Sequence, residues 1–218
     1  NCGPASRDPI SDMQWLVETI QEAQDVSLSL DSTKPAAIEA GLKLVKKKPM
    51  INSTSADLER LEILVGLAIQ YKSLLIGLTL DKRGVPQDKD RRLELAAQIV
   101  SFCQEKGFPV EDLYLDPVAL PVNVAQAQEV FMLEALREFK LLSEPRPKTI
   151  IGLSNVSQGS QDRSLINRVF LVMALSSDLD AAILDPLDKE LINSLITGEL
   201  ILNRHIYCAS YLDAYKKK

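Results

Sequence analysis

SLSLDST (27–33), PMINST (49–54), LYLDP (113–117) and TIIGLSN (149–155) share one design: a short apolar run that stops on an acid or an amide, at Asp31, Asn52, Asp116 and Asn155. A stretch of helical period follows each. The runs do not alternate apolar with polar residues, as expected of strands covered on both faces, which is the condition of a parallel sheet. In a closed barrel of parallel strands the residues at the carboxyl ends all face one pocket. Two carboxylates and two amides scattered along the chain are thereby expected around one ligand.

Working outward from these runs, strands are expected at 27–31, 49–53, 73–80, 113–117, 149–155 and 181–185. Helices are expected at about 11–25, 35–47, 56–71, 88–106, 125–142, 163–177 and 187–214, with Asp8 or Ser11 capping the first. Strict βα alternation without a linker predicts a single α/β domain over 1–218. Six strands are two short of a (β/α)₈ (TIM) barrel. Asn1-Cys2-Gly3-Pro4 reads as the loop leaving an earlier strand, and the chain opens on Asn1 rather than Met. The expectation is a barrel lacking its first strand, first helix and most of its second strand, about 40 residues in a barrel of ordinary size. A doubly wound open sheet is the alternative, weakened because no glycine-rich phosphate turn follows any strand.

Composition narrows the function. The 218 residues are 46% apolar, enough for one large core, and 25 basic against 30 acidic residues give a net charge of −5. No basic stripe interleaved with aromatics marks nucleic acid, and no apolar run approaches the ~20 residues of a membrane span. Cys2, Cys103 and Cys208 match no zinc or redox spacing, and so sparse a count fits a reducing cytoplasm. His205, the one histidine, excludes histidine clusters and Ser-His-Asp triads elsewhere and reads as structural. Asn52-Ser53-Thr54 and Asn155-Val156-Ser157 match the glycosylation pattern but fall at the barrel mouth and are set aside. Lys46–Lys48 and Lys216–Lys218 read as solvated charge, and Trp15, Phe170, Leu171 and Met173 as packing. Gly84 and Pro86 mark a long loop suited to a lid or a partner contact.

A carboxylate opposite two parallel N–H donors is the standard way to hold a planar guanidine-like edge, which pterins and purines both carry. Asp31 and Asp116 suit that task, with Asn52 offering one donor and one acceptor. A single strand-end Asp or Asn serves equally well as a helix cap or turn former. Four such endings in one chain favour a site.

The same strand ends carry a resemblance. LDSTKPAAIEAGL (30–42), MINSTSA (50–56), LIGLTLDKRGVP (75–86), DLYLDPVALPVNVAQ (112–126), GLSNVSQ (152–158) and RSLINRVFLVMAL (163–175) together resemble the methyltetrahydrofolate:corrinoid/iron–sulfur protein methyltransferases of the acetyl-CoA pathway. That resemblance implies a pterin-binding TIM barrel, a homodimer, and transfer of the N5-methyl group of methyltetrahydrofolate to cob(I)alamin on a separate corrinoid iron–sulfur protein. It implies that Asp31, Asn52 and Asp116 bond the pterin ring, and that Asn155 sits beside N5. Gly152 would admit close approach of the backbone, Ser154 and Gln158 would line the same wall, and Asn1 would be the strand-end asparagine of the second strand. No metal is needed from this chain.

Close relatives of that family run the reverse reaction, methyl-corrinoid protein to tetrahydrofolate, in demethylation of methylated amines, betaine or aryl methyl ethers, and one pocket serves both directions. The folate module of cobalamin-dependent methionine synthase is similar at SNVS (154–157), but that enzyme carries an Asp-x-His-x-x-Gly corrinoid motif and this chain does not. Dihydropteroate synthase needs a basic residue just after the seventh-strand turn, where GLSNVSQGSQ (152–161) has none before Arg163. A non-catalytic pterin-binding subunit is the reading of another class; it would have no need of all four strand-end groups.

Overall fold

The computed structural model describes residues 1, 3, 6–204 and 207. Helix α1 (Pro9–Ala23) starts where the sequence places its cap: the Asp8 carboxylate accepts from the Ser11 N–H at 3.2 Å, and Pro9 opens the first turn. Met13 and Val17, one turn apart, form its buried stripe. Trp15 corrects the expectation of packing. Two residues from Met13 it points to the far side of the helix, 63% exposed.

There follow β1 (Ser29–Asp31), α2 (Pro35–Leu42), β2 (Met50–Ser55), α3 (Leu58–Gln70), β3 (Leu74–Leu78) and α4 (Lys89–Glu105). Then come β4 (Leu113–Asp116), α5 (Val122–Ala125), α6 (Gln128–Phe139), β5 (Lys148–Gly152), α7 (Arg163–Leu175), β6 (Ala181–Ile183) and α8 (Lys189–Ile201). Every strand pairing is parallel and the spatial order is β1-β2-β3-β4-β5-β6. A doubly wound sheet reverses its strand order at a switch point. This one never does. The sheet curls with helices outside, the α/β architecture of a (β/α)₈ barrel.

Several boundaries differ from expectation, among them the end of α2, which stops at Leu42 rather than 47. The strand expected over 149–155 stops at Gly152, and Leu153–Asn155 close into a 3₁₀ turn, with Val156 N–H donating to the Leu153 carbonyl at 3.3 Å. The helix expected over 125–142 is α6, Gln128–Phe139, preceded by the separate turn α5, whose Val122 N–H donates to the Val156 carbonyl at 2.8 Å. The last helix ends at Ile201 rather than 214, and His205, Cys2, Cys208 and Lys216–Lys218 lie outside the described residues.

Two apolar clusters fill the interior. One joins α1–α4 to β1–β4 around Ile38, Ile51, Leu61, Leu75, Ile99 and Leu113; the other joins α6–α8 to β5 around Leu136, Ile151, Phe170 and Leu171. Helix α2 approaches the first so closely that a Cβ on Gly41 would stand 3.0 Å from both Leu30 Cδ1 and Met13 Cγ. Cys103 lies within that cluster, its thiol pushed up to about 12 by burial. Lys46, Lys47 and Lys48 are exposed, as the sequence suggests. Among the described residues, no helix is long and apolar enough to cross a membrane.

Candidate active site

Parallel strands bring their carboxyl ends to one side of the sheet, so Asp31, Asn52, Asp116 and the turn bearing Asn155 share that side. The geometry links them in two groups. In the first, Asp31 and Asn52 are register partners across β1 and β2. Beyond that pair the ladder slips: Ile51 faces Leu75 and Thr54 faces Gly77, so three residues of β2 span two of β3. A bulge of this kind re-aims side chains at a strand end, and here it falls on Asn52 and Ser53. Asn1 joins the group. Its Nδ2 donates to Asp31 Oδ2 at 2.8 Å while its Oδ1 accepts from the Gly3 N–H at 2.6 Å, which fixes the amide orientation. Asn1 and Asp31 line a cleft of about 280 Å³ together with Ser32, Thr33 and Lys34.

The second group centres on Asp116, only 7% exposed. Its carboxylate accepts from the Val118 N–H at 2.7 Å and from the Gly152 N–H. Burial outweighs these two donors and pushes the carboxyl up to about 7. Gly152 faces Asn155, and the amide can keep its place only beside a residue without a side chain: a Cβ would lie 3.0 Å from Asn155 Nδ2. Asn155, Ser154 and Gln158 are exposed at the turn, and the Gln158 N–H donates to the Asn155 carbonyl at 3.2 Å. Asp116, Gly152 and Asn155 thus form one connected unit, while β3 separates it from Asp31 and Asn52.

Sequence reasoning missed the groups that hold these loops in place. Arg92 on α4 is fully buried and donates from Nε to the Pro117 carbonyl at 3.0 Å, just past Asp116. Glu129 on α6 is buried near it, its carboxyl pushed up to about 7 by burial against the lowering pull of the Leu120 N–H and the Arg92 charge. Arg163 donates to the Ser154 carbonyl and to Ser157 Oγ, each at 3.2 Å. Arg60 on α3 reaches carbonyls next to Asp31 and Asn52. An arginine among apolar helix residues was the available signal, but its target is a main-chain carbonyl, which no residue pattern encodes. The loop bearing Gly84 is tied by Asp81, which pairs with Arg83 and Arg91 and is held down to about 2 by them.

The site as built offers two carboxyls, one of them buried and titrating near neutrality, with amides beside each. That set suits a flat, donor-rich heterocycle and the movement of a proton near it.

Methylcorrinoid:tetrahydrofolate methyltransferase of Eubacterium limosum is 24% identical over 219 residues, covering 99% of this chain and 80% of that protein. Methionine synthase of Mycobacterium tuberculosis is 26% identical over 189 residues, which are 81% of this chain and 16% of that much longer protein. Among solved structures, dihydropteroate synthase of Yersinia pestis with a pterine–sulfa conjugate superposes with a TM-score of 0.71 at 18% identity, covering 92% of this chain and 78% of that one. Dihydropteroate synthase of Coxiella burnetii in complex with pteroic acid gives 0.72 at 13% identity, covering 94% and 78%. At such identities the structures speak for the fold. The family model described as pterin binding enzyme matches residues 1–185, and the chain therefore belongs to the pterin binding enzymes.

Proposed function

We propose that this protein moves a methyl group between the N5 position of a tetrahydrofolate and a corrinoid carried on a separate protein. The observation that carries the reading is the Asp116–Gly152–Asn155 unit, a buried carboxyl near neutral pKa joined through a glycine to an exposed amide. Family membership and the methyltransferase name of the Eubacterium limosum relative support it. In this reading Asp31, Asn52 and Asp116 hold the pterin ring, Gly152, Ser154 and Gln158 line its wall, and Asn155 stands at N5.

The chemistry follows from the leaving group. A neutral tertiary amine departs poorly, so N5 must gain positive character as the methyl group leaves. The Asn155 amide donates a hydrogen bond that strengthens as the C–N bond breaks. Asp116, balanced between its two protonation states near neutral pH, accepts from the ring and stabilises the proton gained there. A corrinoid docked on its carrier would serve as methyl acceptor or donor, while Asn155 and Asp116 hold N5 in place for a single displacement.

Direction divides two versions of this function. Transfer from methyltetrahydrofolate to cob(I)alamin on a corrinoid iron–sulfur protein, as in the acetyl-CoA pathway, is the version carried by the sequence motifs. The reverse, from a methyl-corrinoid protein to tetrahydrofolate, is favoured by the name of the Eubacterium limosum relative. Homodimer formation belongs to the same proposal. Pteroate synthesis fits less well, because the first basic residue after the β5 turn, Arg163, is already engaged by Ser154 and Ser157.

Calorimetric titration with methyltetrahydrofolate tests the pocket. Binding in the micromolar range, lost in Asp116→Ala, supports the proposal; no binding by the folded wild-type protein overturns it. Methyl transfer assayed in both directions with free cob(I)alamin and methylcobalamin then reports the favoured one.

A further inference from the structure

Arg60 lies on α3, and four hydrogen bonds run from its guanidinium to main-chain carbonyls. Nε and Nη2 donate to Ser53 at 3.1 and 2.7 Å, Nη1 to Thr33 at 2.8 Å, and Nη2 to Ser32 at 3.2 Å. Ser32 and Thr33 follow Asp31, and Ser53 follows Asn52 at the β2 bulge. One rigid planar cation therefore ties the exit of β1 to the bulge of β2, just past the residues assigned to the pterin. Partial burial pulls its pKa down. The carbonyls are its solvation. They also need it, since the β1 exit and the β2 bulge both interrupt the ladder.

The clamp is local. The Asp116 exit is held by Arg92 and the Asn155 turn by Arg163, through different helices.

We infer that Arg60 is a positioning residue that sets the relation of Asp31 to Asn52 and so tunes how the pocket grips one edge of the pterin. The inference rests on the pterin reading proposed above. A lysine cannot replace it, because a single ammonium on a flexible stem does not span three carbonyls at fixed separations.

Methyltetrahydrofolate affinity, measured by calorimetry alongside thermal unfolding without ligand, tests it. Arg60→Gln is expected to weaken binding on the order of tenfold, and Arg60→Lys to restore only part of the loss. The discriminating readout is a pair of double-mutant cycles. In the Arg60→Gln background the further loss from Asp31→Asn should shrink, since Asp31 is already misplaced, while the loss from Asp116→Asn should stay as large as in the wild type. If Arg60→Gln does not fold, the same cycles are run with Arg60→Lys. Unchanged affinity in the Arg60 variant, or equal coupling to Asp31 and Asp116, overturns the inference and leaves the pterin pocket standing. Failure of the wild type to bind removes the pterin reading, and this inference with it.

Discussion

The carboxamide of Asn155 lies over the α-carbon of Gly152, so close that a methyl group on Gly152 would stand 3.0 Å from Nδ2. Gly152 takes an ordinary extended conformation with φ of −82°, so no backbone strain demands glycine there. What demands it is the neighbouring amide. Gly152→Ala should therefore leave thermal stability nearly unchanged, because the exposed Asn155 side chain swings away cheaply. Methyl transfer should fall on the order of tenfold as that amide leaves its place. A variant that loses stability but keeps its turnover would show that the glycine serves packing alone.

Removing the amide itself should be more severe. Asn155→Ala is expected to lower kcat/KM for methyl transfer by about 10²-fold or more, the usual cost of losing a donor aimed at developing charge. The dissociation constant for methyltetrahydrofolate should change only a few-fold. Wild-type kcat/KM in a variant that still binds folate would remove Asn155 from the mechanism.

Asp116 should impose opposite pH dependences on stability and on binding. Burial raises its carboxyl from 3.8 to about 7. The stability that protonated Asp116 confers is complete below 3.8 and is lost as pH rises through about 7. Folate affinity should instead rise through the same range, as the ionised carboxylate becomes the better acceptor. Because Glu129 also titrates near 7, the measurement is a difference between wild type and Asp116→Asn, by denaturant unfolding and by calorimetry. Affinity that is flat across this window would mean that Asp116 does not meet the ligand in its ionised form.

Arg92 and Glu129 should behave as a coupled pair beneath the β4–α5 loop. Arg92→Met frees the Pro117 carbonyl and removes a positive charge that acts on Glu129, at a cost of about 2 kcal/mol in urea unfolding. Glu129→Gln should cost less in the Arg92→Met background than in the wild type. Strict additivity would place the two residues in separate environments.

Much of this was legible in the sequence, for identifiable reasons. Apolar runs without alternation gave the parallel sheet, and the cap at Asp8 and the strand end at Asp116 fell where the residues put them. Errors arose where a tertiary contact overrides a local pattern. TIIGLSN (149–155) keeps strand character on paper, yet Leu153–Asn155 turn, with the Val156 N–H donating to the Leu153 carbonyl and the Val122 N–H to the Val156 carbonyl. Trp15 looks like core until the helix stripe of Met13 and Val17 assigns it to solvent. The site residues carried their chemistry in their type. The arginines behind them did not, because a guanidinium bound to main-chain carbonyls, 25 positions away for Arg92 and Pro117, leaves no periodic trace.

The division of the interior into two apolar clusters bears on how the pocket moves. Asp31 and Asn52 ride above the first cluster and the Asn155 turn above the second, while β4 and its exit loop straddle them, with Leu115 in one and Ala119 in the other. A ligand gripped by both groups would act as a rivet across that seam. Its arrival should slow amide hydrogen exchange most along β4 and the Pro117–Pro121 loop, in the middle of the molecule, and least in α1 and α8 at the two ends of the sheet.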